Sequence, residues 1–494
     1  MATEFQLAEL EVRWGWEVTS ESRAIPPDAS GPETAPYRSS WTRRLNVADR
    51  LPWPRSAGDG PTGPMVRAVS SVCRPLTIGT PDAYNDVIEQ IGDVPMVFLG
   101  EATHGTHEFY AIRQQITKRL IEEKGFRAIA IEGDWPDAAR VDAYVRTGAG
   151  TARSALSQFR AFPNWMWGNQ DVLSFIDWLR TFNLSATKGD RSCGFYGLDL
   201  YSMYSSMEAV LEYLERQDPK AAEYARERFA CFEPISENME IYALLVNAGS
   251  IQSCESEILR VLHDLRQRRV DYSEKSPDYA FFDAEQNVLA TKAAENFYRA
   301  MLRGDPDSWN VRDCYMFETF QRLRQHLGED TKIVVWAHNT HVGDYSKTEE
   351  HSQGYLNIGQ LARERFDDGV FLLGFGTYEG TVTAATAWGG PPELKEVPPA
   401  SPGTYEDLLH QIGIERLFVP TRQLRGTPAA SLFDGRRERA IGVVYNPAYE
   451  HFGNYFKAAL AEQFDGYIFV DRSSAVKPMW AALREAGRPT RRAA

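Results

Sequence analysis

Four short apolar runs in this 494-residue chain each end against ionisable side chains. Val94 to Leu99 runs into Glu101 and His104, Arg127 to Ile131 into Glu132 and Asp134, Gly194 to Leu198 into Asp199, and Lys332 to Trp336 into His338 and His341. A short, continuous apolar run reads as a strand buried on both faces, as in a parallel sheet covered by helices. Stretches of helical spacing separate the runs. Asp82 to Ile91 places Ala83, Val87, Ile88 and Ile91 on one face, and Thr106 to Lys124 repeats Phe109, Ile112, Ile116 and Leu120 before Gly125 stops it. Pro136 opens a helix to Arg146, and Val172 to Phe182 and Met203 to Arg216 are helical as well. Strands alternating with helices through short links predict an α/β fold, with a largely parallel central sheet and helices on both faces. In such sheets ligands bind beyond the carboxyl ends of the strands, where these ionisable groups sit.

The rest of the chain is organised around that core. No strand pattern occurs from Pro219 to Leu327, while Ser256 to Arg268 and Gln286 to Arg303 are Ala-, Glu-, Leu- and Arg-rich, which predicts a helical insertion over about 219–327. Val370 to Phe375, Ala440 to Tyr445 and Tyr467 to Val470 return to the sheet, and Gly389 to Gly403, rich in proline and glycine, reads as a loop. The core proper begins near Pro81. Residues 1–75, with breaker clusters such as Pro26-Pro27 and Ser56 to Pro64, are expected to be a poorly ordered N-terminal extension, and 76–494 the α/β domain. Trp14, Trp16, Trp41 and Trp53 are large apolar residues in that polar stretch, suited to anchoring it on the body.

Charge narrows the function classes. Lys+Arg 54 against Asp+Glu 68 leaves −14, which argues against nucleic acid and anionic membranes as partners, since both favour a basic surface. Five scattered cysteines without a CxxC predict reduced thiols. The acidic start lacks the pattern of a signal peptide and no apolar run approaches transmembrane length, so the expected location is cytoplasmic.

Imidazoles and carboxylates sharing one crevice suit acid/base work. Attack of water on a bound carbonyl needs a base and a donor for the developing oxyanion. Histidine titrates near neutrality, and carboxylates beside it orient the ring. Arg113, at the border of an apolar helical stripe, is placed to reach inward to a carboxylate or an oxyanion. Structural uses stand beside these. Glu101 and Glu132 could cap helices or form ion pairs, Arg113 could pair a buried carboxylate, and Asp199 could cap the helix near Met203. His107 could be a solvated neighbour of His104. Trp135, Trp165 and Trp167 could line a pocket or simply pack. His104, His107, His338 and His341 with a carboxylate would also suit zinc or iron, although their spacing is not the helical HExxH pattern.

Taken together, these pieces resemble the erythromycin esterase-like hydrolases. The resemblance is carried by Gly-Glu-Ala-Thr-His-Gly at Gly100 to Gly105, by Arg113, and by Glu132-Gly-Asp-Trp. Gly197-Leu-Asp199, Trp309-Asn-Val-Arg-Asp313 and Trp336-Ala-His-Asn-Thr-His341 complete it, with order and spacing matching from about Pro81 to Asp471. The form around His104 looks like the broad branch of that family, some of whose members carry names from succinoglycan biosynthesis. The resemblance implies an α/β core with helical additions framing a large cleft, and opening of macrolide lactones by water without a metal or other cofactor. It implies His104 as the general base. Glu101, Glu132, Arg113, His338 and His341 would orient that base, hold water and stabilise the tetrahedral intermediate, while Asp199, Asp134 and Trp135 are expected to meet substrate. The expected function is therefore hydrolysis of an ester or lactone, of a macrolide or another natural product, with a small molecule as the partner. The alternatives are a metal-dependent hydrolase, an acid/base lyase or cyclase of a biosynthetic pathway, and a non-catalytic small-molecule-binding protein.

Overall fold

In a computed structural model, which describes residues 63–76, 82–185, 192–235, 238–275, 278–304, 306–480 and 484–485, the four apolar runs are buried strands. In chain order the strands are β1 (Arg74–Pro75), β2 (Met96–Leu99), β3 (Ala128–Asp134), β4 (Gly194–Asp199), β5 (Ile333–Trp336) and β6 (Val370–Ala384). They continue as β7 (Glu393–Val397), β8 (Arg416–Val419), β9 (Arg436–Arg439), β10 (Tyr455–Ala458), β11 (Gly466–Ser473) and β12 (Arg484–Glu485). The main sheet has the order β1-β8-β11-β6-β2-β5-β3-β4, with β7 on the far end of β6 and β12 on β7. From β11 to β4 all neighbours are parallel, while β8 and β7 pair antiparallel. The α/β class with a largely parallel sheet is therefore the observed one.

Topology locates the crevice. The chain leaves β2 on one side to lay down β3 and β4, returns to place β5 between β2 and β3, and then crosses to put β6 on the other side of β2. Connections thus diverge beside the carboxyl end of β2, the kind of place where an open α/β sheet binds ligands. Apolar layers cover both faces. Ile112, Ile116 and Leu120 of the helix His107–Lys124 pack on one face, and Met316, Phe320 and Leu323 of the helix Asp307–Leu327 on the other.

Several expected boundaries shift. The helical bundle already begins with Met203–Gln217 and closes with Asp278–Met301, around Val210, Leu214, Tyr242, Ile258 and Val288. Asp307–Leu327, assigned to the insertion over 219–327, covers the sheet instead, because an apolar helical stripe does not reveal its partner. Ala440 to Tyr445 is not a sheet strand. Ile441 and Val444 make single bridges to Thr103 and Ala385, and regular pairing falls one step earlier, in β9. The sequence of β9, Arg-Arg-Glu-Arg, has no apolar signal; its Glu438 meets Asn339 and its Arg439 meets Glu450. The expected loop Gly389 to Gly403 contains β7, which the long β6 provides with an edge.

Within the expected extension, Pro64–Val72 forms a helix that buries Val66 and Val69, and β1 then pairs with β8. The four extension tryptophans, and Pro81, lie outside the described residues. Cys231 and Cys254 form a disulfide, contrary to the expected reduced thiols; helix packing brings together two residues 23 apart. Among the described residues no helix is long and apolar enough to cross a membrane.

The loop after β2 is held by close backbone contacts. The Gly105 carbonyl accepts from Thr383 (3.1 Å) and Val476 (2.9 Å), and a Cβ at Gly105 would lie 1.9 Å from the Thr383 carbonyl oxygen. A Cβ at Gly100 would likewise lie 2.2 Å from Asn339 Oδ1. Gly105→Ala should therefore push the loop off β6, costing about 1–3 kcal/mol and displacing His104. Denaturant unfolding together with an activity assay checks this, and unchanged stability would contradict the close approach.

Candidate active site

His104 is positioned from both sides. Its Nδ1 lies 3.0 Å from Glu101 Oε1, and its backbone carbonyl accepts the Tyr110 hydroxyl at 3.0 Å. Glu101 is fully buried and paired through its other oxygen with Arg113 Nη2. Arg113 is also fully buried, with the rings of Tyr110 and Trp336 at 4.6 and 5.1 Å from its guanidinium carbon. Glu101, carrying the Arg113 pair, accepts the His104 Nδ1 proton, which leaves Nε2 as the basic nitrogen.

A second network joins β3, β4, the helix Asp307–Leu327 and the turn after β5. Arg312 grips Asp199 with Nε (2.9 Å) and Nη2 (2.6 Å) and reaches Glu132 Oε1 at 2.7 Å. The other Glu132 oxygen accepts the His338 backbone amide at 2.8 Å. Burial would raise the Glu132 carboxyl, but His341, His104 and Arg312 outweigh it and hold the group well below the usual range. His341 bonds Asp313 through Nδ1 at 2.9 Å, approaches Glu132 Oε1 at 3.3 Å and Arg312 Nη1 at 2.9 Å, and stacks on Trp309 at 4.5 Å. Burial works against its charge, yet Asp313 and Glu132 push it up to about 9.

His338 behaves differently. Burial lowers it well below the ordinary imidazole value, and His104 and His341 add to this. The ring is therefore neutral near pH 7. Its Nδ1 lies 2.8 Å from Thr340 Oγ1 and accepts the Thr340 amide at 3.3 Å, an arrangement that suits a ring proton on Nε2, and the ring also bonds the Ala102 backbone. The His104 and His338 rings lie 4.7 Å apart.

These groups line a cavity of about 220 Å³. The structure places His104, Glu132, His338, His341, Asp134 and Asp199 on its wall. Glu101 and Arg113 stand behind His104 rather than on the surface. Trp135 is turned away, its indole donating to Asp283 at 2.7 Å between Tyr196 and Phe282. Trp167 lines the cavity and donates to the Glu132 carbonyl at 2.9 Å, whereas Trp165 is buried outside it. His107 lies at the surface, 2.9 Å from Asp171, so the four-histidine metal set is not assembled. Arg312 and Asp313 lie in the Trp309 to Asp313 motif, to which the sequence alone assigns no role. The available signal was the i, i+3, i+4 spacing of Trp309, Arg312 and Asp313, which puts all three on one helical face.

Asp134 pairs in register with Asp199 at the ends of β3 and β4. Burial, then Asp199 and Asp137, push its carboxyl well above the usual range, while the Tyr201 amide and Arg312 work the other way.

Comparison with known proteins agrees with this architecture. The sequence pattern of the erythromycin esterase family matches residues 121–473. Erythromycin esterase type II of Escherichia coli is 22% identical over 425 residues, spanning 80% of this chain and 93% of its own. A crystal structure named for succinoglycan biosynthesis superposes with a TM-score of 0.69 at 21% identity, over 84% of this chain and 97% of that one. The erythromycin esterase EreC in its open conformation gives 0.60 at 17% identity, over 81% and 95%.

Because His341 is raised from 6.5 to about 9, the stability it contributes is fully present below about pH 6.5 and lost as pH rises through about 9. The stability advantage of wild type over Asp313→Asn should therefore shrink across that window. Denaturant unfolding at several pH values measures it, and an advantage that grows with pH would refute the charge assignment.

Proposed function

The chain belongs to the erythromycin esterase family and is a hydrolase, and we propose that it cleaves an ester or lactone of a small natural product, macrolides included, by general-base activation of water. The reading is carried by one observation: a cavity-wall histidine, His104, backed by the buried Glu101–Arg113 pair and facing the neutral ring of His338 at 4.7 Å.

The steps follow from the protonation states. His104 Nε2 takes a proton from a water as its oxygen bonds to the substrate carbonyl carbon. Glu101, paired with Arg113, stabilises the imidazolium that forms. Negative charge develops on the carbonyl oxygen, where the neutral His338 ring supplies an N–H donor. Collapse of the tetrahedral species breaks the bond to the leaving oxygen, which receives the proton from His104, releasing an acid and an alcohol, or one hydroxy acid from a lactone. Glu132 fixes the His338 backbone, while Arg312 and His341 hold Glu132 and Asp199 in place. The aromatic walls supplied by Phe162, Trp167, Tyr201 and Trp388 suit a bulky, largely apolar substrate.

A panel of macrolides, simple lactones and activated esters tests the substrate class. His104→Ala should lower kcat by roughly 10²–10⁴-fold with the fold intact, and normal turnover by it would remove the base. His338→Ala should cost about 10²–10³-fold, mainly in kcat. An effect confined to KM would show that His338 acts on binding instead.

A further inference from the structure

The hydrolytic steps leave one wall carboxylate without a task. Asp134 is 9% exposed and lines both the His104 cavity and a second, polar cavity of about 250 Å³ beside it. The neighbouring carboxylates are compensated. Glu132 and Asp199 share Arg312, and Asp137 has Arg140 at 2.9 Å. Arg160 and Glu208 stand further along the second cavity. Among the described residues Asp134 Oδ1 has no hydrogen-bond partner. A buried polar atom left unpaired carries a desolvation cost that a bound group can relieve, and a cation bound there would favour the ionised carboxyl against burial, Asp199 and Asp137, which push it well above the usual range.

The surroundings select the kind of group. Tyr201 lines both cavities, with Phe297 edge-on to it at 5.3 Å and Trp388 at 6.3 Å. Phe162 lies 4.9 Å from Trp388. A hydroxyl would satisfy the oxygen but would gain little from the ring faces. An organic cation uses both, because the quadrupole of an aromatic face attracts positive charge most strongly where water is excluded. Arg312 is engaged with Asp199, Glu132 and His341, and its guanidinium carbon lies 5.1 Å over the Tyr201 ring, so Tyr201 already serves one cation and Trp388 is the ring that would meet a second.

We propose that Asp134 is the counter-ion for an ammonium group on the substrate, held between its carboxylate and the Trp388 ring while the ester lies at His104. The word substrate rests on the hydrolase reading above; the binding itself does not.

Calorimetric titration of wild type with choline and with its uncharged carbon isostere 3,3-dimethylbutan-1-ol tests the proposal without turnover. The cation should bind at least about tenfold more tightly. Asp134→Asn should bring the two affinities to within about twofold, and Trp388→Leu should reduce the preference. Should Asp134→Asn fail to fold, the wild-type ratio and Trp388→Leu decide. Equal affinities in wild type, a preference that survives in folded Asp134→Asn, or no choline binding at millimolar concentration would overturn the proposal. An active esterase without the preference removes this inference alone, whereas a choline binder that hydrolyses no ester removes the functional reading alone.

Discussion

Ionised groups carried to the ends of buried strands must find partners there, and this requirement shapes the whole cavity. Glu101 sits at zero exposure because Arg113 is buried with it, and Arg113 in turn is buried between Tyr110 and Trp336. Removing one member of such a pair strands the other charge in the interior, at several kcal/mol (about 3–5). Glu132, Asp199 and Asp313 solve the same problem with Arg312 and His341. Because each charge holds its neighbour, the side chains that face substrate are fixed before substrate arrives.

The same neighbours assign different jobs to chemically identical rings. His104, with Nδ1 bound to a carboxylate, presents a basic nitrogen; His338, buried against other rings and accepting an amide at Nδ1, presents a proton. His341, between Asp313 and Glu132, stays charged. In the mechanism we propose, the three imidazoles thus divide into base, donor and structural cation.

Much of the scaffold was legible in the chain. Strands β2 to β5 announce themselves as apolar runs because both of their faces are covered, so nearly every side chain must be apolar. The helix His107–Lys124 shows its apolar stripe for the same reason. Strand β9 hid because its buried residues are charged and satisfied by distant partners, and β7 because its pairing depends on the length of β6. The outer limit of the helical bundle was invisible, since a stripe reports that a helix is covered and not by what.

Of the candidate site, residue types and their positions after strands were readable locally: Glu101, His104, Glu132, Asp134, Asp199, His338 and His341 all follow apolar runs. That pattern is local because a strand end determines where the next few residues emerge. Which groups meet was a matter of tertiary structure alone. Arg312 and Asp313 arrive from a helix more than a hundred residues beyond Asp199, Trp135 turns into the core, His107 turns to solvent, and Asp134 Oδ1 has no hydrogen-bond partner among the described residues. Sequence spacing specifies direction along one element, whereas the pairing of buried charges is decided by which elements pack side by side.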